Sequence, residues 1–164
     1  MWPDAAVREN LYALAQRMHR ECGGRLMRRD NLHLTLVFLG NVARESIPQL
    51  EAIAQRQSGA GFDLNFGVTG YWRHNRIVWA APAAAPAALS DLVATLERAL
   101  KTDGFKFDAR TYVPHITLVR DARAPAVLPP LAFAWPVRDF ALIESARGVK
   151  GAEYRVLVRW PCAA

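Results

Sequence analysis

Apolar residues recur at helical spacing in two segments of the chain. The segment DAAVRENLYALAQRMHREC places an apolar stripe on one side of a helix, with Asp4 in position to cap its start and Gly23 to end it. A second stripe runs through ALSDLVATLERALKTDG and stops at Gly104. The pattern predicts two amphipathic helices, whose stripes consist of Val7, Leu11, Leu14, Ala15 and Met18, and of Leu89, Leu92, Val93, Leu96 and Leu100.

Strand-like segments occupy most of the remaining chain. Apolar and β-branched residues, bounded by turn formers, mark FDLNFGV, RIVWAAP, VRDFALIES and EYRVLVRWP. A short helix is predicted through Ile47, Leu50 and Ile53, and the Ala/Pro-rich residues 80–88 are predicted to connect the two halves. Helices and strands in this irregular order are typical of an α+β fold.

One short pattern occurs twice. HLTLVFLG begins at His33 and HITLVR begins at His115, and each follows a predicted helix, a glycine and a loop that contains arginine. Because side chains alternate along a strand, each histidine shares a face with the threonine two residues later, while Leu34, Leu36 and Phe38 are expected on the core face. The repeat predicts one bilobal domain over residues 1–164, with two antiparallel-dominated sheets related by a pseudo-twofold axis, helices on the outside and a cleft between the lobes.

Composition indicates a globular protein. With 52% hydrophobic and 22% charged residues, the 164-residue chain can bury a core. No apolar run approaches the roughly 20 residues of a membrane span, and the start MWPDAAVREN lacks the apolar centre of a signal peptide. Cys22 and Cys162 are too few for a disulfide framework. We therefore expect a cytoplasmic protein that binds no membrane, and nothing in the sequence points to an obligate protein partner.

The charge adds a weaker indication. A net charge of +6, carried mostly by arginine, favours partners that contain phosphate, since guanidinium groups match phosphate oxygens in pairs. The chain is also rich in alanine and proline, so a compositional bias of the genome explains the arginine content equally well.

The two motifs suit attack on phosphorus. One neutral imidazole can take a proton from water while a protonated one gives a proton to the leaving oxygen. The hydroxyls of Thr35 and Thr117 can then donate to the non-bridging phosphate oxygens. A strained 2',3'-cyclic phosphate fits this pair without a metal or cofactor, and the residues allow His33 and His115 to take the two roles in either order.

The motifs allow two other interpretations. Both could be the wet faces of amphipathic strands, but a solvent face does not require the same residues twice. A zinc site could use the two motif histidines with His19 or His74, but cysteine and carboxylate ligands at metal-binding spacing are absent from the sequence. His19 is otherwise expected on the surface of the first helix, and His74 at the tip of a polar hairpin.

On these residues the chain resembles the two-histidine (2H) phosphoesterase superfamily and, within it, the RNA 2',3'-cyclic phosphodiesterases, also named 2'-5' RNA ligases. The paired His-x-Thr-x motifs, the stretch NLHLTLVFLGNV and the Pro114-His115 entry into a strand that ends at Arg120 carry the resemblance, which covers nearly the whole chain. It implies a hydrolase that opens RNA 2',3'-cyclic phosphate ends to 2'-phosphomonoesters, with 2'-5' ligation as the reverse activity.

The resemblance also implies individual roles. His33 corresponds to the family's proton donor and His115 to its proton acceptor, Arg120 to a basic position near the phosphate, and Tyr112 to a position that contacts the nucleoside. One feature departs from the family pattern: its members usually have a short apolar strand before the first helix, whereas Met1-Trp2-Pro3 leads almost directly into that helix. One sheet is therefore expected to expose an unpaired edge, which Trp2 could partly cover.

Three functions remain open at this point. The first is an RNA-end phosphodiesterase, the second a non-catalytic RNA-binding module that keeps a basic cleft, and the third the same chemistry on a small cyclic nucleotide or a cyclic phosphate of ADP-ribose. Intact histidines in both motifs favour catalysis, because binding alone could use arginine or lysine there. In the hairpin YWRHNRIVWA, Tyr71 and Trp72 are candidates to stack on RNA bases.

Overall fold

A computed structural model describes residues 1–57, 59–148 and 151–162. Its three α-helices are α1 (Ala5–Cys22), α2 (Ile47–Gln55) and α3 (Ala87–Thr102), and two 3-10 turns span Arg29–Asn31 and Arg44–Ser46. All three predicted helices are confirmed. The Asp4 carboxylate accepts a 2.8 Å hydrogen bond from the Val7 amide at the start of α1, and Gly23 ends that helix with a positive φ of 63°.

The strands form two antiparallel sheets, which confirms the α+β class. They are β1 (Arg25–Leu26), β2 (Phe62–Trp72), β3 (Ile77–Pro82), β4 (Ile116–Arg120), β5 (Phe133–Val137), β6 (Asp139–Gly148) and β7 (Gly151–Pro161). The larger sheet has the order β1-β4-β3-β2-β5, while β6 and β7 pair with each other. The segment VRDFALIES, predicted as one strand, is divided at Arg138, where the chain passes from β5 in the larger sheet to β6 in the smaller one.

The first motif was predicted to form a strand, and this prediction was wrong in extent. Only Leu34 pairs, through a bridge to Ile116 and through hydrogen bonds of 3.0 and 2.7 Å with the backbone of Met1. Pairing goes no further because the backbone bends at Leu36. The same bend turns Phe38 outward, so this residue is 62% exposed rather than part of the core.

The core lies between α1, α3 and one face of the larger sheet. The predicted stripes of both helices are buried here, except that Leu14 is only half-buried and that Leu100 is buried in a second cluster, against Leu50 and Ile53 of α2. Trp135 and Trp160 are also buried. No helix in the described part of the chain is long and apolar enough to cross a membrane.

Gly24 lies where α1 turns into β1, against the end of β4. Its φ is +84°, and a Cβ atom here would overlap the carbonyl oxygen of Arg120 and lie 2.9 Å from the Ala122 nitrogen. Gly104 has a similar φ of +79° but no atom within 4 Å of the added carbon. The two glycines therefore separate the cost of backbone conformation from the cost of a clash.

We expect Gly24→Ala to destabilise the protein more than Gly104→Ala. The control should lose about 1–2 kcal/mol, the cost of a left-handed conformation, and Gly24→Ala should lose roughly 1–3 kcal/mol more because backbone atoms must move. Urea unfolding followed by circular dichroism measures both. Equal losses for the two variants would mean that the β1 and β4 backbones are not in close contact at Gly24.

Candidate active site

The His33 imidazole is held at the surface of the core by its neighbours. Leu32 and Leu34 are fully buried, so the side chain between them points away from the core. The ring Nδ1 lies 2.7 Å from the Asn31 carbonyl oxygen, and because a carbonyl only accepts, Nδ1 carries the proton and donates it. Asn31 is itself buried and donates to the Ala152 carbonyl at 2.8 Å. The bond from Asn31 to Ala152 attaches the loop before His33 to β7. The bond from Nδ1 to Asn31 leaves the other ring nitrogen, Nε2, available as an acid or a base.

Two aromatic rings enclose His33. The indole of Trp2 stacks on it at a centroid distance of 4.7 Å and an interplanar angle of 8°, while the Tyr154 ring lies tilted at 4.8 Å. The indole nitrogen of Trp2 donates a 3.0 Å hydrogen bond to the Asp30 carbonyl, which fixes the stacking ring in turn. The hydrogen bond from Nδ1 therefore limits rotation of the imidazole within its plane, and the two neighbouring rings limit its tilting out of that plane.

His115 has a matching environment in the second half of the chain. It directly precedes β4, and its Nδ1 donates to the carbonyl of Val113 at 2.8 Å, again two residues earlier in sequence. Trp72 meets the ring edge-on, with centroids 4.5 Å apart and planes at 74°. Nε2 is again left for chemistry, so the two histidines share one tautomer and one mode of anchoring.

A register shift in β4 determines on which face of the sheet Arg120 lies. Thr117 pairs with Trp79, but the next pair is Val119 with Val78, so Leu118 is an extra residue in β4. Simple alternation would place Arg120 on the core side of the sheet. The bulge reverses this, because Val119 takes the core position and Arg120 joins Thr117 on the outer face.

Burial and charge set the protonation of both rings. Burial lowers the pKa of His33 to about 4, and the positive charges of the amino terminus, Arg120 and His115 add to this, while the hydrogen bond to Asn31 opposes it. Burial also lowers the pKa of His115, and the charge of Arg120 adds to it. Arg120 is therefore close enough to act electrostatically on both imidazoles, and both are neutral near pH 7.

Tyr112 connects the two motifs. Its hydroxyl donates to the carbonyl of Thr35 at 3.3 Å. Burial raises the pKa of the Tyr112 phenol, so the group stays protonated and available as a donor. The Thr35 side chain is exposed and Thr117 is half-buried, so both residues are at least partly accessible to solvent.

A cavity of about 640 Å³ adjoins His33 and Thr35. Its other walls are the apolar segment 36–42, the start of α2 and residues of β6 and β7. His115, Thr117 and Arg120 do not line it. The polar groups of the second motif therefore lie on the outer face of the larger sheet, outside this cavity.

The remaining histidines lie outside the two motifs, although the ring of His74 is 6.4 Å from that of Trp72, which meets His115. His74 is exposed in the turn between β2 and β3, as predicted, and His19 is half-buried on α1. Within residues 1–57, 59–148 and 151–162, no three His, Cys, Asp or Glu side chains are grouped as metal ligands.

Comparison with known proteins identifies the family. The model of the LigT-like phosphoesterases matches the chain twice, over residues 2–79 and 80–154, and each match contains one His-x-Thr motif. The chain belongs to the LigT-like phosphoesterase family. Each half of the duplicated sequence pattern therefore matches the family model separately, and the protein is a phosphoesterase.

Two relatives within the LigT-like phosphoesterases carry the name RNA 2',3'-cyclic phosphodiesterase. The protein from Escherichia coli is 37% identical over 139 residues, which cover 84% of this chain and 79% of the relative. The protein from Thermus thermophilus is 37% identical over 141 residues, covering 79% of this chain and 71% of the relative. The chain is also similar to the crystal structure of E. coli LigT complexed with 3'-AMP, with a TM-score of 0.92 and 32% identity over 100% of this chain and 95% of that one.

Several residues around the motifs were not found from the sequence. The sequence patterns predict no role for Asn31 or Tyr154, and for Trp2 they predict only the cover of a sheet edge. The adjacency of Asn31 to His33 was the one available signal, since a buried polar residue next to a catalytic candidate needs a partner. Trp2 and Tyr154 come from opposite ends of the chain, so no local pattern places them on the same ring.

Proposed function

We propose that the protein is an RNA 2',3'-cyclic phosphodiesterase that converts 2',3'-cyclic phosphate ends to 2'-phosphomonoesters. The observation that carries the proposal is the equivalent anchoring of His33 and His115, each through Nδ1 to a carbonyl two residues earlier, with Arg120 acting on both. Such anchoring presents two Nε2 atoms to one substrate. The names of the E. coli and T. thermophilus relatives support the same activity.

In the proposed reaction His115 acts as the base and His33 as the acid. The neutral Nε2 of His115 removes a proton from water as the water oxygen attacks phosphorus. The bond from phosphorus to O3' breaks, and Nε2 of His33 gives its proton to O3'. The product has a 3'-hydroxyl and a 2'-phosphate, and the two histidines exchange protonation states. Ligation of a 5'-hydroxyl end follows the same proton transfers, with the 5'-oxygen of the incoming RNA in the place of water: His115 takes the proton of the 5'-hydroxyl, and His33 gives its proton to the departing O3'.

Thr35, Thr117 and Arg120 are proposed to bind the phosphate. Two hydroxyls and one guanidinium supply donors for the non-bridging oxygens, where negative charge is held during attack. Tyr112 is proposed to contact the nucleoside through its ring, because its hydroxyl already donates to Thr35. No cofactor enters any of these steps.

The phosphate is proposed to lie in a cleft between two lobes related by a pseudo-twofold axis. The separate family matches to residues 2–79 and 80–154 support the duplication, and so does the matching tautomer of the two histidines. The lobes differ in detail, since His33 is stacked face-on by Trp2 while His115 is met edge-on by Trp72.

The acid role of His33 requires substrate. Burial holds its pKa near 4, so the free protein keeps this imidazole neutral. A phosphate anion beside the ring favours the imidazolium form, and the stacked face of Trp2 favours it further by a cation–π contact. Binding of substrate is therefore expected to bring a proton with it.

A cytoplasmic site of action is also proposed, in keeping with the free thiols of Cys22 and Cys162.

The function is tested with three substrates in the presence of EDTA. A cyclic-phosphate-ended oligonucleotide, a 2',3'-cyclic mononucleotide and a cyclic phosphate of ADP-ribose are incubated separately with the protein. We expect the oligonucleotide to be hydrolysed with the highest kcat/KM. Turnover of only the mononucleotide or the ADP-ribose derivative would point to small-molecule chemistry, and binding of RNA without any turnover would point to a binding module.

Arg120→Ala should weaken substrate recognition without unfolding the protein. Losing one charge-assisted hydrogen bond to phosphate costs about 1.5–3 kcal/mol, which corresponds to roughly 10- to 150-fold in kcat/KM. Arg98→Ala, which removes an exposed arginine from α3, is the matched control and should behave as the unmodified protein. Steady-state kinetics on the cyclic mononucleotide measures the loss. Unchanged kinetics for Arg120→Ala would remove this residue from the phosphate site.

A further inference from the structure

Arg25 and Arg120 are direct cross-strand neighbours. In the pairing of β1 with β4, Arg25 lies opposite Arg120 and Leu26 opposite Val119. Val119 is fully buried, so the second pair faces the core and the first pair faces outward. Arg25 therefore shares the outer face with Arg120, and it is exposed at the edge strand of the sheet.

Two like charges directly opposite each other destabilise an antiparallel pair. Nine other arginines have a carboxylate within ion-pair distance. Among the residues that the structure describes, no such carboxylate lies beside Arg25 or Arg120. The edge of the larger sheet thus holds two adjacent arginines without a negative partner, and Arg120 is on β4, the strand that contains Thr117 and directly follows His115.

We propose that Arg25 binds the phosphodiester group that precedes the terminal cyclic phosphate of an RNA strand, which makes it a specificity-determining residue for RNA chains over mononucleotides. The proposal rests on the proposed function, since it takes Arg120 as the contact to the terminal phosphate. A strand that runs outward from Arg120 across the sheet meets Arg25 next, because β1 lies at the edge. A guanidinium group there can bind two phosphate oxygens at once.

This contact predicts an effect on binding and not on the chemical step. The preceding phosphodiester is untouched by the reaction, so its contact stabilises bound substrate and transition state equally and lowers KM without changing kcat. A 2',3'-cyclic mononucleotide lacks that group. Its kinetics should therefore be independent of Arg25.

The test compares Arg25→Gln, Arg25→Lys and the control Arg98→Gln on two substrates, 2',3'-cyclic AMP and a cyclic-phosphate-ended oligoadenylate. We expect Arg25→Gln to raise KM for the oligoadenylate about tenfold or more, as for one lost charge-assisted hydrogen bond, with the mononucleotide KM and kcat of both substrates within about twofold. Arg25→Lys should recover part of the loss, and Arg98→Gln should show none. Equal effects on both substrates, or no effect on either, would overturn the proposal.

A binding measurement separates this proposal from the proposed function. Fluorescence anisotropy with an oligoadenylate that ends in a 2'-phosphate requires no turnover. Arg25→Gln should weaken its binding about tenfold and reduce the slope of log Kd against log salt by about 0.7, the value for one phosphate contact on a single strand. If the unmodified protein hydrolyses neither substrate, the proposed function fails, and these binding data still decide the role of Arg25. An unchanged slope would contradict that role.

Discussion

His33→Ala and His115→Ala should each lower kcat/KM for a 2',3'-cyclic phosphate by a factor on the order of 10²–10⁴, the usual contribution of a positioned acid or base. In the proposed mechanism, each variant removes the ring nitrogen, Nε2, that its half of the site presents to the phosphate. Neither change should unfold the protein, because both rings lie at the edge of the core and not within it. The loss should therefore appear in activity and not in the midpoint of urea unfolding.

The double variant distinguishes a cooperating pair from two independent groups. If the imidazoles act in one step, His33→Ala and His115→Ala together should cost less than the product of the single losses. His74→Gln is the control, because this exposed histidine in the β2–β3 turn reaches His115 only indirectly, through Trp72. Assayed on the cyclic mononucleotide, it should keep its rate within about threefold. Near-normal rates for both single variants would contradict the two-histidine mechanism.

The pH dependence of kcat/KM should be bell-shaped, with its maximum on the acid side of pH 6.5. The proposed reaction needs one imidazole protonated and the other neutral, so its rate should be highest between their two pKa values. Burial lowers the pKa of His33 to about 4 and also lowers that of His115 below its ordinary value. The rate should then fall about tenfold for each pH unit above the higher limb. Initial rates at low substrate concentration in EDTA measure this profile.

The profile of kcat should lie at higher pH than that of kcat/KM. The first reports ionisations in the complex with substrate and the second those of the free protein. A bound phosphate anion stabilises both imidazolium forms, so each pKa rises on binding. Trp2→Leu removes the ring that is stacked on His33, so in the kcat profile the limb that reports the pKa of His33 should move to lower pH. Trp2→Phe should restore much of this shift. Coincident profiles with limbs above pH 6.5 would mean that burial does not control these rings.

The helices were predictable because their signals are local. The stripe through Val7, Leu11 and Met18, the Asp4 cap and the Gly23 end all lie within one segment, and each acts through neighbours a few residues away. The two motifs were likewise visible as a repeat. Alternation predicted the burial of Leu34 correctly, but it failed at Phe38, which is exposed beyond the bend at Leu36.

The position of Arg120 could not be derived in this way. Alternation from Thr117 places Arg120 on the opposite face, and only the extra residue Leu118 in the β3–β4 register brings it back. A bulge depends on the pairing of distant strands, which no local window of sequence contains. The stack of Trp2 and Tyr154 on His33 is unpredictable for the same reason, because it joins residues from the two ends of the chain.

The environment of the histidines was the other missing part. Unperturbed imidazoles titrate near pH 6.5, and the sequence alone offers no reason for a different value. The lowered pKa of His33 arises from burial and from the charges of Arg120 and His115. All of these depend on tertiary packing.

The most direct measurement is the product formed from a cyclic-phosphate-ended oligonucleotide in EDTA and ¹⁸O-labelled water, followed by ³¹P NMR and mass spectrometry. The proposed proton transfers predict that the unmodified protein forms a 2'-phosphomonoester with a free 3'-hydroxyl and one ¹⁸O atom in the phosphate. His33→Ala and His115→Ala should each form this product much more slowly. A 3'-phosphate product, or an unreacted cyclic end after prolonged incubation, would contradict hydrolysis by this pair of histidines.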